Sequence, residues 1–187
     1  QVGHRIEKPE VFVKITISGQ AGSGKTSVSK ELSKITGFKM ISAGEIFRAM
    51  AEEKKMSLEA FSKYAEERPK IDMLIDERQI ELSNKFKDCI AEGRLSGWKI
   101  EDADLKIWLS APLKTRLKRI MDREGKGYNA VLKETRGREN DGRMRYKKFY
   151  GIDLDDLSIY DLIINTEKWD KRSVTEIILR SLELWNK

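Results

Sequence analysis

The sequence is poor in the residues that build disulfides, metal cages and rigid turns. Of its 187 residues, one is cysteine, one is histidine and three are proline. A lone cysteine, Cys89, excludes an internal disulfide and a cysteine-rich zinc site, and its apolar neighbours are typical of a core. The histidine, His4, falls in the polar segment 1–10, which we interpret as a flexible leader. We expect a cytoplasmic protein, because this cysteine usage suits a reducing compartment.

Long apolar runs are also missing. No stretch approaches the roughly 20 apolar residues that a membrane-spanning helix needs, so we expect no membrane partner. Charge is abundant, with 37 Lys and Arg against 31 Asp and Glu and a formal net charge of +6. This balance fits nucleic acid, an anionic membrane or a polyanionic small substrate, and charge alone does not choose among them.

Apolar, β-branched segments alternate with helical patterns along the chain. Helical spacing predicts helices at 24–37, behind Pro112 and at 173–185. Strands that alternate with helices form a parallel sheet. The sequence therefore predicts an α/β fold with a five-stranded parallel sheet flanked by helices, the strands lying at 11–18, 38–42, 88–92, 105–110 and 162–165.

Two charged segments interrupt this alternation. Residues 43–87 are helix-rich, with breaks near Ser57 and Pro69, and predict a helical insert. Residues 125–148 are basic and predict a mobile, arginine-bearing lid whose glycines act as hinges: Gly125, Gly127, Gly137 and Gly142. The remaining segments are predicted to form the core of a single domain spanning 11–187, namely 11–42, 88–124 and 149–187.

The strongest motif is GQAGSGKT, from Gly19 to Thr26. It matches G-x-x-x-x-G-K-[ST] between a predicted strand and a predicted helix, the context in which such a loop holds nucleotide phosphates. Lys25 is predicted to contact the β- and γ-phosphates, and the Thr26 hydroxyl to bind Mg²⁺. The loop indicates a nucleoside triphosphate as donor but leaves the acceptor open. The predicted ATP-binding residues are Gly19, Gln20, Ala21, Gly22, Ser23, Gly24, Lys25, Thr26 and Ser27.

The acceptor side is indicated by two arginines that follow predicted strands. SAGEIFR ends at Arg48 after the second strand, and Glu92-Gly93-Arg94 follows the third. Ligands bind at the carboxyl ends of strands in such sheets. Together with the phosphate loop, these segments resemble the nucleoside monophosphate (NMP) kinases, in which an S-x-G-[DE]-x-x-R segment and an arginine after strand three hold the acceptor phosphate.

Longer segments extend this likeness, namely SAGEIFR at 42, LEAFSKYAEE at 58, DERQ at 76, AEGRLSGW at 91, DLKIWLSAP at 104 and YGIDLDDLSIYDLIINT at 150. Together they resemble the archaeal-type cytidylate kinases. The resemblance covers nearly the whole chain from about Val11 and implies an NMP-kinase-like fold that transfers the γ-phosphoryl group of ATP to CMP, and also to dCMP, with Mg²⁺. Adenylate or uridylate kinase activity of the same fold stays the alternative, because spacing does not reveal the base-reading contacts.

The resemblance also implies roles for individual residues. Arg48 and Arg94 would bind the acceptor phosphate beside Ser42 and Gly44. Glu92 would orient water on Mg²⁺. The base would be read in the inserted helices, where helical surface is the competing interpretation of the candidates Asp72, Asp76, Arg78 and Gln79.

A further implied role concerns the lid. The segment RGRENDGRMRY, residues 136–146, aligns with the lid motif of these kinases. Arg138 and Arg145 are therefore the candidates to close over the transferring phosphoryl group, where they would act with Lys25 and Arg94. Arg136 and Arg143 are the second-choice candidates for the same role.

Two other classes of phosphate-loop protein fit less well. A GTPase switch needs an N-K-x-D segment, which the sequence lacks, and its D-x-x-G pattern is matched only by DREG at 122–125 within a predicted helix. A nucleic-acid-associated ATPase would account for the basic lid, but base-stacking aromatics there are few. We therefore predict small-molecule substrates, no nucleic-acid partner and a monomer.

Overall fold

Every strand of the sheet runs parallel to its neighbours. The computed structural model describes residues 13–185, so the predicted leader and the first two residues of the predicted first strand lie outside the described residues. The strand order is β2-β3-β1-β4-β5, which confirms the predicted α/β fold with a five-stranded parallel sheet. The strands are Lys14–Gly19 (β1), Lys39–Ser42 (β2), Cys89–Glu92 (β3), Leu105–Ser110 (β4) and Leu162–Asn165 (β5).

The order places a topological switch beside the central strand. The chain leaves β1 toward β2 and β3 on one side and later builds β4 and β5 on the other. A crevice for ligands forms at the carboxyl ends of the strands at such a point. The helices are Lys25–Thr36 (α1), Ala43–Glu53 (α2), Leu58–Glu66 (α3), Pro69–Lys85 (α4), Ser96–Lys99 (α5), Leu113–Glu124 (α6), Tyr128–Tyr150 (α7) and Lys171–Trp185 (α8).

The main core lies between the sheet and helices α1 and α8. Ile15 and Ile17 of β1 are fully buried, as expected for a strand flanked on both sides by other strands and covered by helices. Leu32 of α1 and Ile178 of α8 complete the same apolar cluster. Among the described residues, no helix combines the length and apolarity needed to cross a membrane.

A second apolar cluster joins the inserted helices to the sheet. Phe61 of α3 packs with Ile41 of β2 and with Cys89 of β3, so the insert shares its core with the sheet. Cys89 is fully buried, which confirms that it is a core residue, and this burial raises the pKa of its thiol to about 11. The predicted breaks are confirmed as helix starts, since Ser57 caps α3 and Pro69 occupies the first turn of α4.

The lid segment differs from the hinged chain that the glycines predict. Gly125 and Gly127 do lie in the turn between α6 and α7, but Gly137 and Gly142 lie inside a continuous helix of 23 residues. Gly142 is buried, and a Cβ there would lie 3.2 Å from Nη1 of Arg94. The absence of a side chain at this position therefore provides room for Arg94 rather than a hinge.

Truncating the centre of the insert core will measure how strongly it stabilises the whole chain. Phe61 is fully buried and packs on the Phe47 ring at a centroid distance of 4.8 Å. We expect Phe61→Ala to lower the free energy of unfolding by about 3–5 kcal/mol in urea titration. Leu58→Ala on the same helix, where the side chain is 49% exposed, is the control and should change little. Equal effects of the two changes would contradict this account.

Candidate active site

The phosphate loop connects β1 to α1 and is shaped by close backbone contacts. A Cβ at Gly19 would lie 2.2 Å from the Leu109 carbonyl oxygen, and one at Gly22 would lie 2.6 Å from the Arg116 carbonyl oxygen. Both residues also have positive φ angles of 147° and 77°. Only glycine fits at either position. Helix α1 begins behind Gly24, which has no side chain to cap the first N–H groups, so this helix end is open to an anion.

Lys25 stands in a strongly cationic environment. Its ammonium group donates a hydrogen bond to the Gln20 carbonyl oxygen at 2.9 Å, within the phosphate loop. Burial is the main cause that lowers the pKa of Lys25 to about 8; the Glu92 carboxylate opposes this shift, and the charges of Arg94 and Arg116 contribute to it. The site therefore holds more positive than negative charge around this ammonium group, as a triphosphate site requires.

Glu92 links the donor side of the crevice to the acceptor side. Its Oε1 accepts a hydrogen bond from the Ser42 hydroxyl at 2.6 Å and another from the Thr26 hydroxyl at 3.2 Å. The sheet produces this meeting, because Ser42 and Glu92 are direct register partners at the ends of β2 and β3. Ser42 also accepts from the Glu45 N–H and so caps α2. The residues predicted to hold the metal, Thr26 and Glu92, thus lie together.

The two arginines predicted for the acceptor phosphate differ in their surroundings. Arg94 is half-buried and donates from Nη1 to the Arg138 carbonyl oxygen of α7 at 3.3 Å. Arg48 is exposed on α2, and its Nη1 lies 3.7 Å from where a Gly44 Cβ would be. Within residues 13–185 the Arg48 guanidinium forms no ion pair, so its charge is available to a ligand.

The positions of the lid arginines do not follow the ranking of candidates that the motif implies. Arg145 forms an ion pair with Asp72 of α4 at 3.1 Å, on the insert side of the crevice. Arg143, a reserve candidate, lines a small cavity beside the phosphate loop and pairs with Asp155 at 2.6 Å. Arg138 and Arg136 are exposed. In this structure, Arg143 therefore lies nearer to the phosphate loop than Arg145 does, and the roles of all four stay predictions.

Sequence reasoning missed two arginines of α6 that hold the phosphate loop. Arg116 is buried, and it donates to the Ala21 carbonyl oxygen at 3.1 Å and to Glu139 of α7 at 2.5 Å. Arg119 donates to the Gly22 carbonyl oxygen at 3.3 Å and to Thr166 after β5. The available signal was the position of Arg116 on the apolar stripe of its own helix, where a charge is buried only with partners.

Gln79, one of the base-reading candidates, joins the insert to the sheet. Its buried amide donates to the carbonyl oxygens of Ile41 at 3.1 Å and of Glu92 at 3.0 Å. Its own oxygen accepts from the Ser96 hydroxyl at 2.8 Å. All of these groups belong to the protein, so the side chain has little capacity left for a base. Its neighbour Arg78 points elsewhere and forms a two-point ion pair with Glu53 at 2.8 and 2.9 Å.

Comparison with known proteins agrees with this geometry. The sequence profile of the cytidylate kinase-like family matches residues 14–168. The chain belongs to this family. It is 51% identical over 172 residues to a cytidylate kinase of Archaeoglobus fulgidus, covering 92% of this chain and 96% of that protein. It is also 49% identical to a cytidylate kinase of Pyrococcus horikoshii, covering 94% of this chain and 91% of that protein.

Solved structures support the fold at much lower identity. An uncharacterised protein from Eubacterium ventriosum superposes with a TM-score of 0.68 at 18% identity, covering 91% of this chain and 98% of that one. A shikimate kinase from Bacteroides thetaiotaomicron gives 0.59 at 16% identity, with the same two coverages of 91% and 98%. At such identities the likeness shows a shared fold and nothing about the reaction or the acceptor. Membership of the cytidylate kinase-like family therefore rests on the sequence matches.

Changing Gln79 will test whether it fixes the carboxyl ends of β2 and β3. Gln79→Leu keeps the volume but leaves two buried carbonyl oxygens without donors, so we expect the free energy of unfolding to fall by about 2–5 kcal/mol. Gln79→Glu should cost at least as much, because a carboxylate would face those carbonyl oxygens. Urea titration checks both. Glu81→Gln, an exposed position on α4, is the control, and equal stability of all four proteins would remove Gln79 from this role.

Proposed function

We propose that this protein transfers the γ-phosphoryl group of ATP to CMP, and also to dCMP, in a reaction that needs Mg²⁺. The observation that carries the proposal is the meeting of Thr26, Ser42 and Glu92, since one carboxylate joins the phosphate loop to the segment that follows β2. A donor nucleotide on the loop and an acceptor at Ser42 would then have their phosphates adjacent. Relatives named cytidylate kinase match over about nine-tenths of the chain, which supports the acceptor.

The residues present fit Mg²⁺ bound mainly through phosphates. Mg²⁺ usually keeps several waters and takes one or two protein oxygens besides those of the substrate. The Thr26 hydroxyl and the Glu92 carboxylate supply such oxygens. No group of three or more His, Cys, Asp or Glu side chains capable of holding a metal occurs in the described part of the chain, which fits an ion shared with a nucleotide. Bound there, Mg²⁺ would neutralise charge on the β- and γ-phosphates.

The residues of the site would act through position and charge. Lys25 and the loop N–H groups would hold the donor phosphates, and Arg48 and Arg94 would orient the acceptor phosphate in line with the γ-phosphorus atom. A general base is unnecessary, because the attacking phosphate oxygen is already largely ionised near neutral pH. Water must be excluded during transfer, and the lid would provide that exclusion by closing over both substrates.

We assign the parts of the chain accordingly. The insert, residues 43–87, would hold the acceptor nucleotide, and the lid, residues 125–148, would cover the reacting phosphates within a single kinase domain. The predicted monomeric state and cytoplasmic location stay predictions. Adenylate or uridylate kinase activity is the alternative, since Arg48 and Arg94 would serve any nucleoside monophosphate.

Arg94→Ala tests the acceptor side. In an ADP-release assay across AMP, CMP, UMP, GMP and their deoxy forms, the unaltered protein should prefer CMP and dCMP. Arg94→Ala should lower kcat/KM for CMP about a hundredfold or more, because a charged group aimed at the acceptor phosphate is lost, while KM for ATP changes little. Arg180→Ala on α8 is the matched control. Unchanged turnover and KM for CMP would remove Arg94 from the site, and activity with another acceptor alone would overturn the cytidylate assignment.

The lowered pKa of Lys25 leads us to expect that the protein takes up protons when it binds ATP. Because burial lowers the pKa of Lys25 to about 8, the free protein has lost much of this charge by pH 8.5. Bound phosphates favour the charged form and would return the proton, so ATP affinity should fall as the pH rises through 8. Calorimetry at pH 8 in HEPES and in Tris, two buffers with different ionisation enthalpies, should show uptake of about half a proton per ATP. Lys25→Arg keeps its charge and should show no uptake. Equal heats in both buffers would contradict the lowered pKa.

A further inference from the structure

Four successive carbonyl groups of the phosphate loop each accept a hydrogen bond from a side chain. The donor-to-oxygen distances lie between 2.9 and 3.3 Å. In chain order the carbonyl groups are those of Gln20, Ala21, Gly22 and Ser23, and their donors are Lys25, Arg116, Arg119 and Thr166. Three of these donors are cations, and Thr166 is neutral. The hydrogen bond from Thr166 can therefore be removed without changing the charge of the site.

The buried side chain of Thr166 lies where the ends of β4 and β5 meet the phosphate loop. Its N–H donates to the Ser110 carbonyl oxygen of β4 at 2.8 Å, and its hydroxyl accepts from Nη1 of Arg119 at 2.8 Å. The hydroxyl lies 2.9 Å from the Ser23 carbonyl oxygen and 3.2 Å from that of Ser110. A hydroxyl has one hydrogen to donate. Since the Ser110 oxygen already accepts the Thr166 N–H, we assign this hydrogen to Ser23.

This hydrogen bond fixes the orientation of the peptide group between Ser23 and Gly24. In a planar trans peptide the C=O and the N–H point in opposite directions, so the Gly24 N–H points away from Thr166. Packing does not hold this peptide, because a Cβ at Gly24 would have nothing within 4 Å. The φ angle of Gly24 is 98°, and glycine adopts either sign of φ about equally well. The orientation therefore depends on the Thr166 hydroxyl.

We propose that Thr166 is a positioning residue for the phosphates of the donor nucleotide. Its hydroxyl keeps the Ser23–Gly24 peptide turned so that the Gly24 N–H, and not the Ser23 carbonyl oxygen, faces the anion. Without the hydroxyl, this peptide turns over in part of the molecules, and the carbonyl oxygen then repels the phosphates. Only the correctly oriented fraction binds ATP, so the apparent affinity falls by that fraction. Thr166 acts through the loop and contacts no substrate.

Thr166→Val tests this role, because it removes the hydroxyl at nearly constant volume. Loss of the hydrogen bond should raise KM for ATP, and the Kd for ATP in calorimetry, about three- to tenfold. Bound phosphates restore the loop, so kcat at saturating ATP and KM for CMP should stay within about twofold. Thr166→Ala, which places no methyl group against the two carbonyl oxygens, should raise KM for ATP equally. Thr166→Ser keeps the hydroxyl and should leave KM for ATP unchanged.

Thr175→Val is the matched control. Thr175 of α8 is buried like Thr166, and its hydroxyl donates to the Lys171 carbonyl oxygen at 2.7 Å. Both valine variants should unfold at lower urea concentrations, but only Thr166→Val should lose affinity for ATP. The same rise in KM for ATP in both variants would mean that Thr166 acts through the stability of the whole fold, and it would overturn the inference.

Inhibition by inorganic tripolyphosphate separates an effect on the phosphates from an effect on the nucleoside. This probe has no nucleoside, so in Thr166→Val its inhibition constant should rise by the same factor as KM for ATP. An inhibition constant equal to that of the unaltered protein would contradict a role in the phosphate loop.

The inference rests on the proposed function for its donor, ATP, but not for its acceptor. A protein that binds ATP without phosphorylating CMP overturns the proposed function, and the calorimetric titrations with ATP still decide the role of Thr166. A protein that phosphorylates CMP, together with unchanged ATP affinity in Thr166→Val, overturns only the role of Thr166. A loss of ATP affinity that Thr166→Ser does not show and Thr175→Val does not share supports it.

Discussion

Repulsion between two phosphate groups is the constraint on which the rest of this structure depends. Two unit charges about 4 Å apart repel by about 4 kcal/mol at an effective dielectric constant near 20, and with about two charges on each reacting phosphate the cost is roughly four times larger. The parallel sheet meets this constraint by topology, because β1 and β3 end side by side. Lys25 follows the first of these strands and Arg94 the second, and their charges are already coupled in the free protein.

When no ligand is bound, the cations gathered in the crevice repel one another. Oxygen atoms of the protein itself offset this repulsion. The carbonyl oxygens of Ala21 and Gly22 accept hydrogen bonds from Arg116 and Arg119. Since α6 holds these carbonyl groups, the N–H groups of the loop are left for an anion. Glu92 acts similarly at Lys25, where its charge partly restores the lysine pKa that burial has lowered. Preorganisation of the site is therefore an electrostatic property of the whole crevice.

Local patterns predicted the strands and the phosphate loop because short-range rules decide both. Apolar runs build buried strands, and GQAGSGKT is a recognisable short motif, although the backbone atoms that exclude a side chain at Gly19 and Gly22 belong to Leu109 and Arg116, which are distant in sequence. Which arginine of the lid reaches which side of the crevice could not be predicted in this way. Continuous α7 places Arg143 at the loop and Arg145 against Asp72, which depends on how one helix packs across two others. The structural role of Gln79 could not be predicted for the same reason, since its partners are carbonyl oxygens distant in sequence.

Carboxylates of the lid and the insert form ion pairs that position α7 across the anion-binding crevice. Glu139 of α7 pairs with buried Arg116, so the lid docks on the core through an ion pair. Removing one partner of a buried pair is strongly destabilising, which ties the position of α7 to the helix that holds the phosphate loop. Nearer the C-terminal end of α7, Arg145 forms an ion pair with Asp72 of the insert. Helix α7 therefore contacts the donor side through the Glu139 carboxylate and the acceptor side through the Arg145 guanidinium. Its docked position depends on both halves of the crevice.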